Sequence, residues 1–225
     1  INSLGRLAVV ECRFDGNSAG TLGGLGGGAI FTSADSSLLV EGSTFDNNDA
    51  VRGAAIFNNG QAELRNSTFS GHRGDTNEGA IQNRGTLLAV HITVANNGRD
   101  GAGFGGLFAF NADTTLVNSI FADNVGNNCF FSGGTGVATG LLAQSGNCGA
   151  QFNGDPQLLP LAGNRGVTAT HALATDSIAI DTADAEFCLA TDQRGAARPQ
   201  GAGCELGAFE VLGPKLFQDG FESAR

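Results

Sequence analysis

Trp, Tyr and Met are absent from the 225 residues, lysine occurs once, at Lys215, and proline only 4 times. The missing Trp and Tyr remove the side chains on which long glycan grooves usually stack sugar rings, and the 16 Phe are expected mostly inside the core. Positive charge is scarce too: 12 Lys and Arg stand against 22 Asp and Glu, a net charge of -10. The summed field repels phosphate backbones and anionic lipid surfaces, so nucleic acid is not an expected partner. No apolar run reaches the roughly 18 to 20 residues needed to span a bilayer. Nor does a basic stretch lead into an apolar one at the N-terminus, so membrane insertion is not expected. Ile1 lacks an initiator Met and sits near the start of a repeat, which reads as a mature or truncated product with any export signal removed.

What is present is glycine, 36 residues of it, with 41% hydrophobic residues and only 15% charged ones. That balance suits one folded domain with many tight corners around small residues and Phe. Five cysteines need pairing. Cys129 and Cys148 bracket a Gly-rich excursion, and Cys188 and Cys204 bracket the segment around Arg194 and Arg198, so two local disulfides are the economical reading, with Cys12 left over. Two disulfides imply an oxidising compartment. No CxxC or Cys/His spacing points to zinc.

The chain repeats itself. Five segments align on a terminal Phe or Val: LAVVECRF at Phe14, LLVEGSTF at Phe45, AELRNSTF at Phe69, LLAVHITV at Val94 and TLVNSIF at Phe121. Their spacings are 31, 24, 25 and 27 residues. A second series, Gly28-Ala29-Ile30, Ala54-Ala55-Ile56, Gly79-Ala80-Ile81 and Gly106-Leu107-Phe108, shares that period out of phase. The runs alternate or are β-branched and carry no helical stripe, so the period predicts strands wound into stacked coils. Apolar parity breaks at Gly42, Asn66 and Asn118, again at Asn17, Asn48, Asn97 and Asn124, and at Asn59-Gly60 or Arg84-Gly85. Three such breaks per repeat predict three corners, where Asn and Gly accept left-handed backbone. The expected fold is all-β: a right-handed single-stranded parallel β-helix of about five to six triangular coils with a disulfide-stapled C-terminal cap. Residues 1–128 are assigned to the coils, 129–211 to the last coil and cap, and 212–225 to a tail. At about 4.8 Å per coil, Phe14, Phe45, Phe69, Val94 and Phe121 form one internal column, beside Ile30, Ile56, Ile81 and Phe108.

Residues 7–124, with GGAI-type and NSTF-type strands, resemble the repeats of polymorphic outer-membrane proteins. The closing series runs through Asp155-Pro156, Thr170-His171-Ala172-Leu173, Ser177-Ile178-Ala179-Ile180-Asp181, Asp192-Gln193-Arg194-Gly195, Arg198-Pro199 and Glu205-Leu206-Gly207-Ala208-Phe209-Glu210. It resembles the choice-of-anchor Q family of exported bacterial repeat proteins. The resemblance implies export, a β-helix and a surface destination, but no agreed activity. The tail Leu216 to Ser223 resembles a short acidic-aromatic ending of exported Gram-negative proteins.

Enzyme chemistry was sought residue by residue, because related helices include polysaccharide lyases and hydrolases. Hydrolysis needs two carboxylates across a groove. Asp15 and Asp46 occupy equivalent positions with Asp123 one further on, but Ser70 and Ala95 interrupt them, so they read as solvated turn residues. Glu41, Arg65 and Arg13 are expected on strand faces without converging. His72 and His91 fall in corner columns and, with His171, read as structural. Thr44, Thr68 and Thr93 form an outward column too small for an ice-binding array. Arg194 and Arg198 are expected to pair with Asp192, Asp181 or Glu210 and hold the cap in place.

The expectation is a non-catalytic, secreted or cell-surface scaffold or adhesin-like module of a Gram-negative bacterium, without cofactor or metal. Its partners would be extracellular or cell-surface glycans or proteins, or further copies joined end to end from an uncapped first coil. The alternatives are a polysaccharide-active or glycan-binding β-helix and a self-assembling filament subunit.

Overall fold

The computed structural model describes residues 1–20, 26–73, 79–99, 101, 103–145 and 148–212. The tail reading, Leu216 to Ser223, lies outside them. The chain is an all-β stack of parallel coils of about five turns. Helix among the described residues is limited to the 3-10 turn Ala185–Phe187.

Each turn contributes strands to three stacked ladders, called walls below. The groove wall pairs Arg6–Val10, Ser37–Glu41, Gln61–Arg65 and Thr86–Val90. The aromatic wall pairs Ile30–Thr32, Ile56–Asn58 and Ile81–Asn83. Phe104–Val117 then runs through both walls, with Asn127–Thr139 beside it. The third wall stacks Arg13–Asp15, Thr44–Asp46, Thr68–Ser70, Thr93–Ala95, Ile120–Ala122, Leu142–Ala143 and Phe152–Asn153.

The period-2 alternation of strands places one row in and the next out. Phe14, Phe45, Phe69, Val94 and Phe121 lie in register. The rings of Phe14, Phe45 and Phe69 stack at 4.7 and 4.9 Å, the spacing of the strands themselves. Each fully buried Phe contributes about 1.5 to 3 kcal/mol.

The corners explain the Asn and Gly columns. Glu11, Gly42, Asn66, His91, Asn118 and Gly140, one per turn, all have positive φ between 43° and 60°. At the next corner a buried amide ladder runs up the stack. Asn48 Oδ1 accepts from the Asn17 N–H, His72 Nδ1 from Asn48, Asn97 Oδ1 from His72 and Asn124 Oδ1 from Asn97. At the third corner a Cβ on Gly85 would lie 2.0 Å from the Gly60 carbonyl oxygen, so only glycine lets these turns stack.

Both disulfides form, Cys129–Cys148 and Cys188–Cys204, and Cys12 is free and exposed. Two cross-links suit an oxidising, extracellular environment. No helix of the described residues is long and apolar enough to cross a membrane.

Four expectations need correction. Leu107, not Phe108, pairs with Ile81 and points inward, because the Ala80 N–H bonds the Gly105 carbonyl and sets the ladder one residue earlier than the repeat suggests. Phe108 therefore faces out. Second, most of the Phe residues are not in the core column. Phe31, Phe57, Gln82, Phe108 and Phe130 form an outward row, with Phe104 stacked 4.6 Å from Phe130 and Arg84 over Phe57 and Phe110. Third, Arg13 does converge on carboxylates: it donates to Asp46 Oδ1 and Oδ2 at 3.0 and 2.6 Å and lies 3.2 Å from Asp15. Outward positions one turn apart are neighbours, so these three meet on one face.

Fourth, the C-terminal segment does not cap the end of the stack. Phe131, Ala138 and Ala150 pack against the core, of which the Cys129–Cys148 link is a part. Residues 156–212 instead run back along the third wall as a strap. Ile120, Ala122 and Leu142, outward on that wall, meet Leu173, Ala179 and Leu206 of the strap in a small second core.

Candidate functional site

A groove of about 570 Å³ opens on the groove wall. Pleating builds it. Arg6, Ser37, Gln61 and Thr86 form one outward row in register, and Ala8, Leu39, Glu63 and Leu88 form the parallel row two positions on. The rows lie about 4.8 Å apart from coil to coil, so the groove crosses four successive turns. One side offers hydroxyls, an amide and the Arg6 guanidinium; the floor is aliphatic apart from Glu63. Arg65 Nε donates to Glu63 Oε1 at 2.7 Å, which neutralises that carboxylate. A smaller opening of about 420 Å³ shares Arg6, Ser37 and Gln61 and adds Asp35 and Ser36. The alternation of LLVE, AELR and LLAV carries the signal for this site, since its inward half fills the core and its outward half lines the groove.

The expected outward column Thr44, Thr68 and Thr93 is outward and yet buried, because the strap covers it. Gln193 is the central contact. Its Nε2 donates to Thr44 Oγ1 at 3.0 Å and to Thr168 Oγ1 at 2.9 Å, and its Oε1 accepts from Thr68 Oγ1 at 2.6 Å. Thr93 Oγ1 accepts from the Ala208 N–H, and Asn66 Nδ2 donates to the Thr191 carbonyl. Gln193 and Thr168 have no counterpart in another turn, so no periodicity marks them.

The expected cap residues hold the strap together internally. Arg194 Nε and Nη2 both donate to Asp192 Oδ2, with the guanidinium 3.7 Å from the Phe209 ring centroid. Arg198 donates to Glu210 Oε2 at 3.2 Å, and all four side chains of these two pairs are buried. Asp181 takes no part: its Oδ1 accepts from the Gly203 N–H at 2.8 Å, because its loop turns toward Cys204. Glu205 lies beside Glu210, and burial first and then that neighbour raise its pKa.

The three histidines are all enclosed. Burial lowers His72 to about 3, and burial and then the Arg198 charge lower His91 to about 3. His171 is lowered by burial as well; its Nε2 lies 2.9 Å from Ser70 Oγ and its Nδ1 2.7 Å from the Leu159 carbonyl. Because the folded values of His72 and His91 lie below 6.5, their contribution to stability is complete above that pH. It is lost as pH falls toward 3.

Among the described residues no three His, Cys, Asp or Glu side chains converge as metal ligands. The groove thus presents a surface suited to hydrogen bonding and apolar contact along the stack. Comparison with known proteins adds no relative to this geometry: no family model, no curated protein and no solved structure matches the chain.

Proposed function

We propose that this chain is a non-catalytic, secreted or cell-surface β-helix that acts as an adhesin-like or structural scaffold, with the groove wall as its binding face. The observation that carries the reading is the contrast between open and closed chemistry. The groove is open across four turns, while the Arg194–Asp192 and Arg198–Glu210 pairs and the histidines are enclosed. An elongated partner, an extracellular glycan or protein, would lie along the coil axis. It would set polar groups on Arg6, Ser37, Gln61 and Thr86 and apolar surface on Leu39 and Leu88. The right-handed winding belongs to this reading, supported by the rule that crossovers between parallel strands of one sheet are right-handed. So do the triangular section and the choice-of-anchor Q resemblance.

The test is a binding screen of polysaccharides and extracellular proteins, run with and without Ca²⁺. Replacing Leu39 and Leu88 together by Asp should weaken any captured partner by about tenfold or more, as loss of apolar contact and burial of charge predict. Cleavage of a glycan that disappears on Asp15→Asn, Asp46→Asn or Glu41→Gln would overturn the non-catalytic reading and favour a lyase or hydrolase.

A filament reading is favoured by one observation. Asn127–Thr139 pairs only with Phe104–Val117 among the described residues, and residues 133–137 of its free edge are exposed. Such an edge can template another strand. Fibres in electron micrographs would support this reading, and a monomer persisting at high concentration would dismiss it.

A further inference from the structure

The seam between strap and stack contains one histidine whose protonation state is dictated by groups that cannot turn. Asn118 Oδ1 accepts from the Asp184 N–H at 2.8 Å. Its Nδ2 then donates to the Asp184 carbonyl at 2.9 Å and faces His91 Nε2 at 3.2 Å. An amide N–H can meet His91 Nε2 only if that nitrogen is bare. The ring proton therefore sits on Nδ1, toward the Gly207 carbonyl at 3.3 Å. A second proton would press two donors together in a buried seam.

The groups packed around the ring make that proton worse placed. From the strap comes Arg198, which donates to the Glu205 and Gly207 carbonyls at 2.8 Å and to Glu210. Glu210 is already committed to Arg198 and to the Glu205 N–H, and burial raises the Glu205 carboxyl beside it. The Asp184 carboxylate turns away to accept from the Glu186 N–H at 2.9 Å. From the stack come Asn66 and Asn118, the neighbours of His91 in its corner column. His171, the other seam histidine, differs. Ser70 can rotate its hydroxyl to accept from a protonated Nε2, and Nδ1 keeps the Leu159 carbonyl, with Asp123 favouring the charge.

We propose that the strap is an acid-released cover of the third wall, with His91 as its trigger. At neutral pH the singly protonated ring locks residues 205–208 and Asp184 to the stack. In acid the ring takes up a second proton once the seam opens, which favours the opened state and bares the Thr93 end of the threonine row. The contacts of Leu173 and Ala179 with Ile120, Ala122 and Leu142 keep the strap attached, and the Cys188–Cys204 link holds its loop together, so release is reversible.

The test is amide exchange by NMR on the intact oxidised chain, corrected for intrinsic rates, near pH 7 and near pH 4.5. The Asp184, Gly207 and Ala208 amides should lose protection by about tenfold or more in acid, as local release predicts. His72 is a second buried histidine, held by Asn48 inside the stack and away from the seam. In a His72→Asn chain the strap response should persist, and the Thr68 and Ile120 amides should keep their protection. In His91→Asn, where the column already accepts Asn at 66 and 118, the strap response should vanish. An unresponsive wild-type strap, an unchanged response in His91→Asn, or its loss in His72→Asn overturns the proposal. Should His91→Asn fail to fold, ring titration of the wild type decides. The ring must take up its second proton only in molecules that have lost Gly207 protection, and a ring that titrates while that protection holds overturns the assignment.

Discussion

In the coil stack nearly every contact is made again one turn later, whereas in the strap nearly every contact is made once. Phe14, Phe45 and Phe69 stack at a common spacing, and the Asn48, Asn97 and Asn124 amides repeat one bond pattern. The strap has no such period. Gln193 alone joins Thr44, Thr68 and Thr168, and one ion pair, Arg198–Glu210, sits at its centre. The difference teaches that a parallel stack spreads its stability over equivalent rungs, while a lateral strap concentrates its own in a few side chains. The two disulfides divide along the same line, Cys129–Cys148 lying in the core of the stack and Cys188–Cys204 stapling the strap.

Substitutions can break that contrast. Phe69→Ala removes a fully buried ring between two neighbours. It should cost about 3 to 5 kcal/mol, with stack and strap lost together in urea unfolding. Removing Cys188 and Cys204 by Ser substitution should cost about 2 to 4 kcal/mol by the loop-closure argument. That loss should fall on the strap alone, seen as proteolytic cleavage within 184–208 while residues 1–145 stay resistant. Gln193→Ala should cost about 1 to 3 kcal/mol, because it leaves buried threonine hydroxyls unpaired; strap amides would exchange faster and stack amides would not. Arg65→Ala, which breaks a half-exposed pair with Glu63 on the groove wall, should change thermal stability by about 1 kcal/mol or less.

The same contrast decides what the sequence made legible. The stack could be read because its signal is periodic: NSTF-type and GGAI-type strands recur, and Asn and Gly recur where the backbone needs positive φ. Register failed at Phe108, where a loop of variable length precedes the strand and either Leu107 or Phe108 satisfies the pattern. The outward Phe row went unseen because hydrophobicity alone does not say which face of a strand is buried when both carry apolar residues. The disulfide pairs were legible from local spacing. The strap's course was not, since a bond from Gln193 to Thr68 spans 125 residues and leaves no local trace. Asp192, Arg194, Arg198 and Glu210 stood out as charged residues in a chain with few, but their charge does not reveal which wall they lie against. The groove lay in plain view as the outward half of strands whose inward half defined the fold.

Native-state hydrogen exchange in rising denaturant measures the separation of the two regions most directly. The Gln193 and Gly207 amides, bonded to the Ala208 and Asn118 carbonyls, should open as one unit at lower free energy than the Thr68 and Ile120 amides, bonded to Ser43 and Ile92. A single exchange isotherm shared by all four would contradict a strap laid on an independently stable stack.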